Sequence, residues 1–262
     1  MPESLLLSAN LSLLFCEHSF LDRFEAASRA GFAAVECQFP YDVSAAEIKT
    51  RLDAHGLRMI TINTSPGDAA ANEFGLAAVP GRAADFKAQL AKALDYAAIL
   101  RAPFVHCLSG HVATDERDAA RATLLDNLAV GSAMAREVGV TLLIEPLNAY
   151  DRPGYFLSRS DDAAAILAEL GCDNVKLLFD IYHVQIMEGD LIRRLERHWP
   201  HVGHIQIASV PWRREPDEGE IAYPAVLAVI ARLGYKGWIG CEYHPRGATE
   251  AGLVWRKMFG LA

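Results

Sequence analysis

The feature that most constrains this chain is an alternation, repeated eight times, of a short β-forming apolar run with a longer stretch of helical periodicity. The apolar runs fall at residues 5–10, 33–39, 58–64, 104–108, 141–145, 175–180, 202–207 and 238–242. Several lack polar alternation, as in Leu142-Leu143-Ile144 and Leu177-Leu178-Phe179. Strands that are apolar on both sides belong in a parallel sheet covered on both faces. Between the runs, Ala163, Ile166, Leu167 and Leu170 follow the i, i+3, i+4, i+7 spacing of an amphipathic helix, and Val226, Val229, Ile230 and Leu233 repeat it. Ser44 followed by Glu47 reads as a capping box. Pro224 suits a first helical turn, and Gly31, Gly56, Gly139, Gly171 and Gly234 stand where helices stop.

Eight strand–helix units predict an α/β fold, a (β/α)8 TIM barrel, as a single domain over residues 1–262. The length suits this, because such barrels run to roughly 250 residues as one unit. With 52% hydrophobic residues the chain can bury a core of that size. A doubly wound sheet is the competitor, but it usually announces a nucleotide site with G-x-G-x-x-G or a P-loop, and neither motif occurs.

Charge and motifs narrow the chemistry. Lys plus Arg number 25 against 33 Asp plus Glu, a formal charge of −8. That opposes a nucleic-acid partner, which needs a basic face. No run reaches the roughly 18 apolar residues of a membrane span, and the start lacks a signal peptide's basic region, so the expected location is cytoplasmic. The five cysteines are odd in number and form no C-x-x-C, so they read as reduced, buried hydrophobes. G-x-S-x-G and H-E-x-x-H are both missing, and no base is apparent for a thiol nucleophile.

In this fold the active site lies at the C-terminal ends of the strands. The fifth and sixth runs end in Glu145 and Asp180, the seventh reaches Gln206 near its end, and the eighth ends in Glu242. Carboxylates on neighbouring strands aimed at one centre repel each other, and a divalent cation relieves that repulsion. The donors are all oxygen, which favours Mg²⁺ or Mn²⁺. The competing possibility is neutralisation by Lys or Arg from the barrel loops. His183, just past the sixth strand, is placed either to reach a substrate or ligand oxygen or to bond backbone at a helix start. Arg213, in the seventh βα loop, is either a fork for a carboxylate or hydroxyl or part of a solvated mixed-charge loop. Asn63 opens an unusually long third βα loop running to Arg82, as binding loops and lids do. Asn10, Glu36 and His106 are substrate contacts or barrel filling.

At these residues the sequence resembles the hydroxypyruvate isomerase family of the xylose-isomerase-like TIM barrels, close to the 2-oxo-tetronate isomerases. The matching motifs are Ser8-Ala-Asn-Leu-Ser12, Phe39-Pro-Tyr-Asp42, Pro66-Gly-Asp68, Pro80-Gly-Arg82, Ile144-Glu-Pro146, Asp180-Ile-Tyr-His183, Gly203-His-Ile-Gln-Ile-Ala208, Gly219-Glu-Ile221 and Gly237-Trp-Ile-Gly-Cys-Glu-Tyr243, spread in order over nearly the whole chain. The resemblance implies a metal held by Glu145, Asp180, Gln206 and Glu242, with Glu145 and Glu242 as the acid/base pair. It places His183 and Arg213 against substrate, and Asn63, His106 and His244 are further candidates for contact. His244 is a departure, since the family commonly carries Lys after this Glu-Tyr. The implied reaction is aldose–ketose isomerisation of hydroxypyruvate to 2-hydroxy-3-oxopropanoate (tartronate semialdehyde) by proton transfer through an enediolate. The rivals on the same site are a 2-oxo-tetronate isomerase and a ketose 3-epimerase. A repair endonuclease would need zinc, more histidine ligands and a basic face. From a different class, a non-catalytic sugar-acid binding protein would not need the pair Glu145 and Glu242. The implied partner is a small molecule, and a homo-oligomer is compatible.

Overall fold

In the computed structural model, which describes residues 5–261, eight parallel strands hydrogen-bond in chain order and the eighth closes on the first. They are β1 (Leu6–Asn10), β2 (Ala34–Cys37), β3 (Arg58–Asn63), β4 (Phe104–His106), β5 (Thr141–Ile144), β6 (Val175–Asp180), β7 (Val202–Ile207) and β8 (Trp238–Cys241). The helices outside them are α1 (Arg23–Arg29), α2 (Ala45–His55), α3 (Ala83–Leu100), α4 (Arg117–Glu137), α5 (Ser160–Leu170), α6 (Ile181–Met187), α7 (Leu191–His198), α8 (Tyr223–Arg232), α9 (Thr249–Gly252) and α10 (Val254–Met258). The expected (β/α)8 barrel is therefore the fold; the expected domain's residues 1–4 and 262 lie outside the described residues.

The local signals act as the physics requires. Ser44 accepts the backbone N–H of Glu47 while the Glu47 carboxylate takes the backbone N–H of Ser44, so both halves of the capping box on α2 are made. The two apolar stripes turn inward: Ala163, Ile166 and Leu167 on α5 are buried, as are Val226 and Ile230 on α8. Gly56 and Gly171, past α2 and α5, adopt the left-handed conformation that closes a helix at little cost. Among the described residues, no helix is long and apolar enough to cross a membrane. The cysteines need a correction. Cys37, Cys107 and Cys241 are buried, but Cys16 is exposed in the loop after β1 and Cys172 is half-buried in the turn after α5. Cys37 and Cys241 lie in strands and Cys107 directly follows β4, whereas these two sit on loops away from the strand ends.

Strand alternation divides the core into two layers. One side of each strand carries apolar residues packed under the helices, such as Ile205, Ile207 and Ile239, all fully buried. The barrel interior is different, because it holds Ser8, Asn10, Glu36, His106, His204 and Gln206, all buried and polar. Register aligns them into a layer: Asn10 pairs with Glu36, Asn63 with His106, Asp180 with Gln206, and Gln206 with Gly240. Glu145 and Glu242 each fall one residue beyond their strands, at the same rim.

Candidate active site

That rim encloses a cavity of about 440 Å³. Asn63, His106, Glu145, His183, Gln206, Arg213, Glu242 and His244 all line it. Asp180, the remaining residue singled out from the sequence, lies beneath, with its Oδ2 3.6 Å from His183 Nε2 and 3.6 Å from Arg213.

The donors expected to hold a cation differ in how they are satisfied. Asp180 caps α6 through Oδ1, which accepts the backbone N–H of Tyr182 at 2.8 Å, and its Oδ2 is left without a hydrogen bond. Glu145 Oε1 and Gln206 Oε1 are likewise buried and unpartnered. Each such oxygen costs about 1–3 kcal/mol if nothing occupies the space beside it. Glu242 is the exception. Its Oε1 accepts from Asn10 at 2.9 Å and Gln38 at 2.8 Å, and its Oε2 accepts from Arg213 at 2.7 Å. Neutralisation by a loop arginine thus holds for Glu242 and only partly for Asp180.

Electrostatics follows from that shortage of positive charge. Burial, with the charges of Glu242 and Asp180, holds the Glu145 carboxyl well above the ordinary carboxylate range. Burial pushes Asp180 up to about 7, against the opposing pull of Arg213. Glu242 is also raised by burial, with Arg213 and the Gln38 hydrogen bond opposing. Three raised carboxyls and three orphaned oxygens fit a divalent cation, which would supply both the missing charge and the missing partner. The donors are hard oxygens, as Mg²⁺ or Mn²⁺ prefers.

Nε2 of His183 also lies within ligand range of Glu145 and Asp180, and one atom from each of the three falls within 4.8 Å of the others. Hydrogen bonding makes that nitrogen a donor instead. Nδ1 accepts the backbone N–H of Asn148 at 3.1 Å, and the Asn148 amide nitrogen lies 2.8 Å from the same atom. Burial, reinforced by Arg213, keeps the ring neutral at ordinary pH by pulling its pKa well below the usual histidine value. A neutral ring whose Nδ1 accepts carries its hydrogen on Nε2, aimed into the cavity. His183 therefore bonds backbone through Nδ1 and leaves Nε2 at the cavity. His106 is kept neutral too, its pKa lowered to about 3 by burial, with Nδ1 3.4 Å from Glu145 Oε2.

Arg213 sits on a left-handed backbone at φ 51°. Such a conformation costs a residue with a side chain of order 1–3 kcal/mol and survives only when its surroundings impose it. Here its N–H donates to Ser209 O at 2.9 Å and its C=O accepts from His244 N at 2.8 Å. Its guanidinium also lies over the Tyr182 ring, 5.0 Å from the centroid.

Asn10, a strand-end residue left between contact and filling, has a structural task. Its Oδ1 accepts from Ser12 N, which turns Nδ2 onto Glu242. The long third loop is pinned to the segment after β4: Ala77 N donates to Leu108 O at 3.1 Å and Ala78 N to Ser109 O at 2.7 Å. Gly75, at φ 98°, is required there, since a Cβ would lie 2.4 Å from Leu108 O. The loop thereby places Phe74 against the cavity. Sequence reasoning missed Arg152, which also lines the cavity. Its guanidinium lies 3.8 Å from the Phe74 ring centroid and, among the described residues, makes no ion pair. The signal was the turn sequence Asp151-Arg-Pro-Gly154 in the fifth βα loop.

A parallel barrel with acidic and amide oxygens gathered at its C-terminal rim has the layout of an enzyme. The chain belongs to the xylose isomerase-like TIM barrel family, whose model matches residues 24–258. It is 52% identical to the 2-oxo-tetronate isomerase of Cupriavidus necator over 96% of this chain and 97% of that one. It is 43% identical to the hydroxypyruvate isomerase of Escherichia coli over 95% and 96%. A crystal structure described as AP endonuclease, family 2, from Brucella melitensis superimposes with a TM-score of 0.95 at 43% identity, covering 98% of this chain and 99% of that one.

Proposed function

We propose that this protein is a metal-assisted aldose–ketose isomerase of a short hydroxy-oxo acid, with the chain acting as one domain in the cytoplasm. The observation that carries the reading is the set of three buried, unpartnered oxygens on Glu145, Asp180 and Gln206. Glu145, Asp180, Gln206 and Glu242 would hold Mg²⁺ or Mn²⁺. A bound cation would act there as a Lewis acid, supplying positive charge against the negative charge that develops when the substrate loses a proton.

The remaining chemistry is done by side chains. The substrate class is a carboxylate, a carbonyl at carbon 2 and a hydroxyl at carbon 3. Arg152, which carries no ion pair of its own among the described residues, receives the carboxylate in the cavity that His244 also lines. His183 donates its Nε2 hydrogen to a substrate oxygen. One of the pair Glu145 and Glu242 takes the proton from carbon 3, and the same or the opposite glutamate returns a proton to carbon 2. The hydroxyl proton passes from the carbon-3 oxygen to the carbon-2 oxygen, so the carbonyl moves along by one carbon and no atom is gained or lost. Positioned acid/base groups contribute about 10²–10⁴-fold. Arg213 holds Glu242 in place for its share.

Two substrates fit this description, differing only by a terminal CH₂OH group: hydroxypyruvate, toward which the Glu145 and Asp180 motifs lean, and 2-oxo-tetronate, toward which the third-loop segment Asn63-Thr-Ser-Pro-Gly-Asp68 leans. The greater identity to the 2-oxo-tetronate isomerase, 52% against 43%, favours the four-carbon acid. Cleavage of a nucleic acid is disfavoured by the net charge of −8 and by the buried carboxylates facing any incoming phosphate. The test is an NMR assay of both acids and of common ketoses with added Mg²⁺ or Mn²⁺. Conversion of one or both acids and not of the ketoses is expected. Conversion of ketoses alone would replace the reading with a ketose 3-epimerase, and no conversion of any would leave a binding protein.

A further inference from the structure

Glu36 is fully buried in the barrel interior, outside the lining of the cavity and far in sequence from the groups it touches. Three side chains converge on its carboxylate. Ser8 Oγ donates to Oε1 at 2.5 Å, His204 Nε2 lies 2.8 Å from Oε1, and Gln206 Nε2 donates to Oε2 at 2.8 Å. A carboxylate can only accept, so the Gln206 amide must present its nitrogen to Glu36. Its oxygen is then turned the other way, toward the cavity, where it is buried and has no partner.

An amide is nearly symmetric in shape, and an unrestrained Gln206 could equally offer its NH₂ group to the cavity, which would repel a cation. We infer that Glu36 is a positioning residue: it fixes the orientation of the Gln206 amide so that only oxygen faces the cation site. The inference rests on the metal-assisted reading above. Gly240 supports it independently. It pairs with Gln206 in register, and a Cβ there would lie 2.5 and 2.6 Å from the two Glu36 carboxylate oxygens and 2.7 Å from Gln206 Cγ. The bare backbone at this point of β8 leaves room for the carboxylate and the amide to meet.

The test measures Mn²⁺ affinity by electron paramagnetic resonance on wild type, Glu36→Gln, Gln206→Ala and the double variant, with melting temperatures alongside. A glutamine at 36 can donate or accept, so the Gln206 amide is free to turn over. A ten- to hundred-fold weaker affinity is expected for Glu36→Gln, the range for groups that orient a metal ligand. Once Gln206 is truncated, replacing Glu36 should cost nothing further. A fall in melting temperature with unchanged affinity would reduce Glu36 to interior filling and overturn the inference. So would additive losses in the double variant. Where Glu36→Gln does not fold, the wild-type protein decides. On Mg²⁺ addition, the side-chain carbonyl carbon of Gln206 should shift in its NMR spectrum while its NH₂ protons stay hydrogen-bonded; an unmoved carbonyl overturns the inference. Absence of any Mn²⁺ binding in wild type would sink both this inference and the metal-assisted reading. Binding that responds to Glu36 in a protein that isomerises nothing would sink the isomerase reading alone.

Discussion

Arg213 donates to Glu242 at 2.7 Å from a backbone held at φ 51°, so a strained residue supplies the fixed positive charge of a site rich in carboxylates. Removing one partner of a buried pair typically costs about 3–5 kcal/mol, and the partial exposure of Arg213 puts it toward the lower end. Arg213→Met is therefore expected to lower the melting temperature of the metal-free protein by several degrees. Saturating Mn²⁺ should recover much of that loss, because the cation replaces the missing charge. Calorimetry with and without the metal checks this, and equal losses in both conditions would show that Arg213 serves packing only.

Glu242 receives hydrogen bonds from Asn10, Gln38 and Arg213, which fix its carboxylate without closing it off from the cavity. Glu242→Gln keeps the shape and loses the proton acceptor. Turnover should fall by about 10²–10⁴-fold or more, with the fold intact and much of the Mn²⁺ affinity retained. Wild-type turnover in this variant would remove Glu242 from the mechanism.

Metal affinity should rise with pH. Asp180 titrates near 7 and Glu145 well above the ordinary carboxylate range, so both must shed protons to accept a cation. Proton release on Mn²⁺ binding, measured by calorimetry in buffers of different ionisation enthalpy, should be larger at pH 6 than at pH 9, because Asp180 has shed its proton by the higher pH. A flat affinity across that range would contradict the assignment of these carboxyls.

The same shift has a stability consequence with a definite sign. A carboxyl whose pKa is raised on folding gives stability that is fully present below its unfolded value and lost as pH rises through its folded value. For Asp180 that window runs from the usual carboxylate range up to about 7. Neutral His183 and His106 act in the opposite sense, their contribution being lost as pH falls below the usual histidine value. Asp180→Asn should thus raise the melting temperature of the metal-free protein at pH 8, and the gain should shrink toward pH 5. A gain that does not change with pH would point to packing instead of charge.

Arg152 is expected to govern affinity for the acid and not the chemical step. Arg152→Met should raise KM for hydroxypyruvate or 2-oxo-tetronate by roughly 10–100-fold, the worth of a charge-assisted hydrogen bond, with kcat little changed. Steady-state kinetics decides, and an unchanged KM would move carboxylate recognition to Arg213 or His244.

The barrel and the strand-end donors were legible because each is a local property. Apolar runs such as 141–145 fix a strand, and the fold rule then puts Glu145 at the working rim. What escaped the sequence depends on closure. Glu36 and Gln206 meet across the interior although 170 positions separate them, and no periodicity records such a meeting. The donor character of His183 depends on the backbone N–H of Asn148, 35 positions away. Arg152 stands out only where the third loop sets Phe74 against its guanidinium, a contact between segments far apart in sequence.

The most direct measurement follows the substrate by proton NMR in D₂O with Mg²⁺ or Mn²⁺ present. Proton transfer by Glu145 and Glu242 through an enediolate is expected to place solvent deuterium on carbon 2 of the product, and Glu242→Gln should abolish that incorporation. Turnover that carries the substrate hydrogen to carbon 2 without loss would contradict a relay between the two glutamates, because the hydrogen would then have moved directly between the carbons or been returned unexchanged by the glutamate that took it.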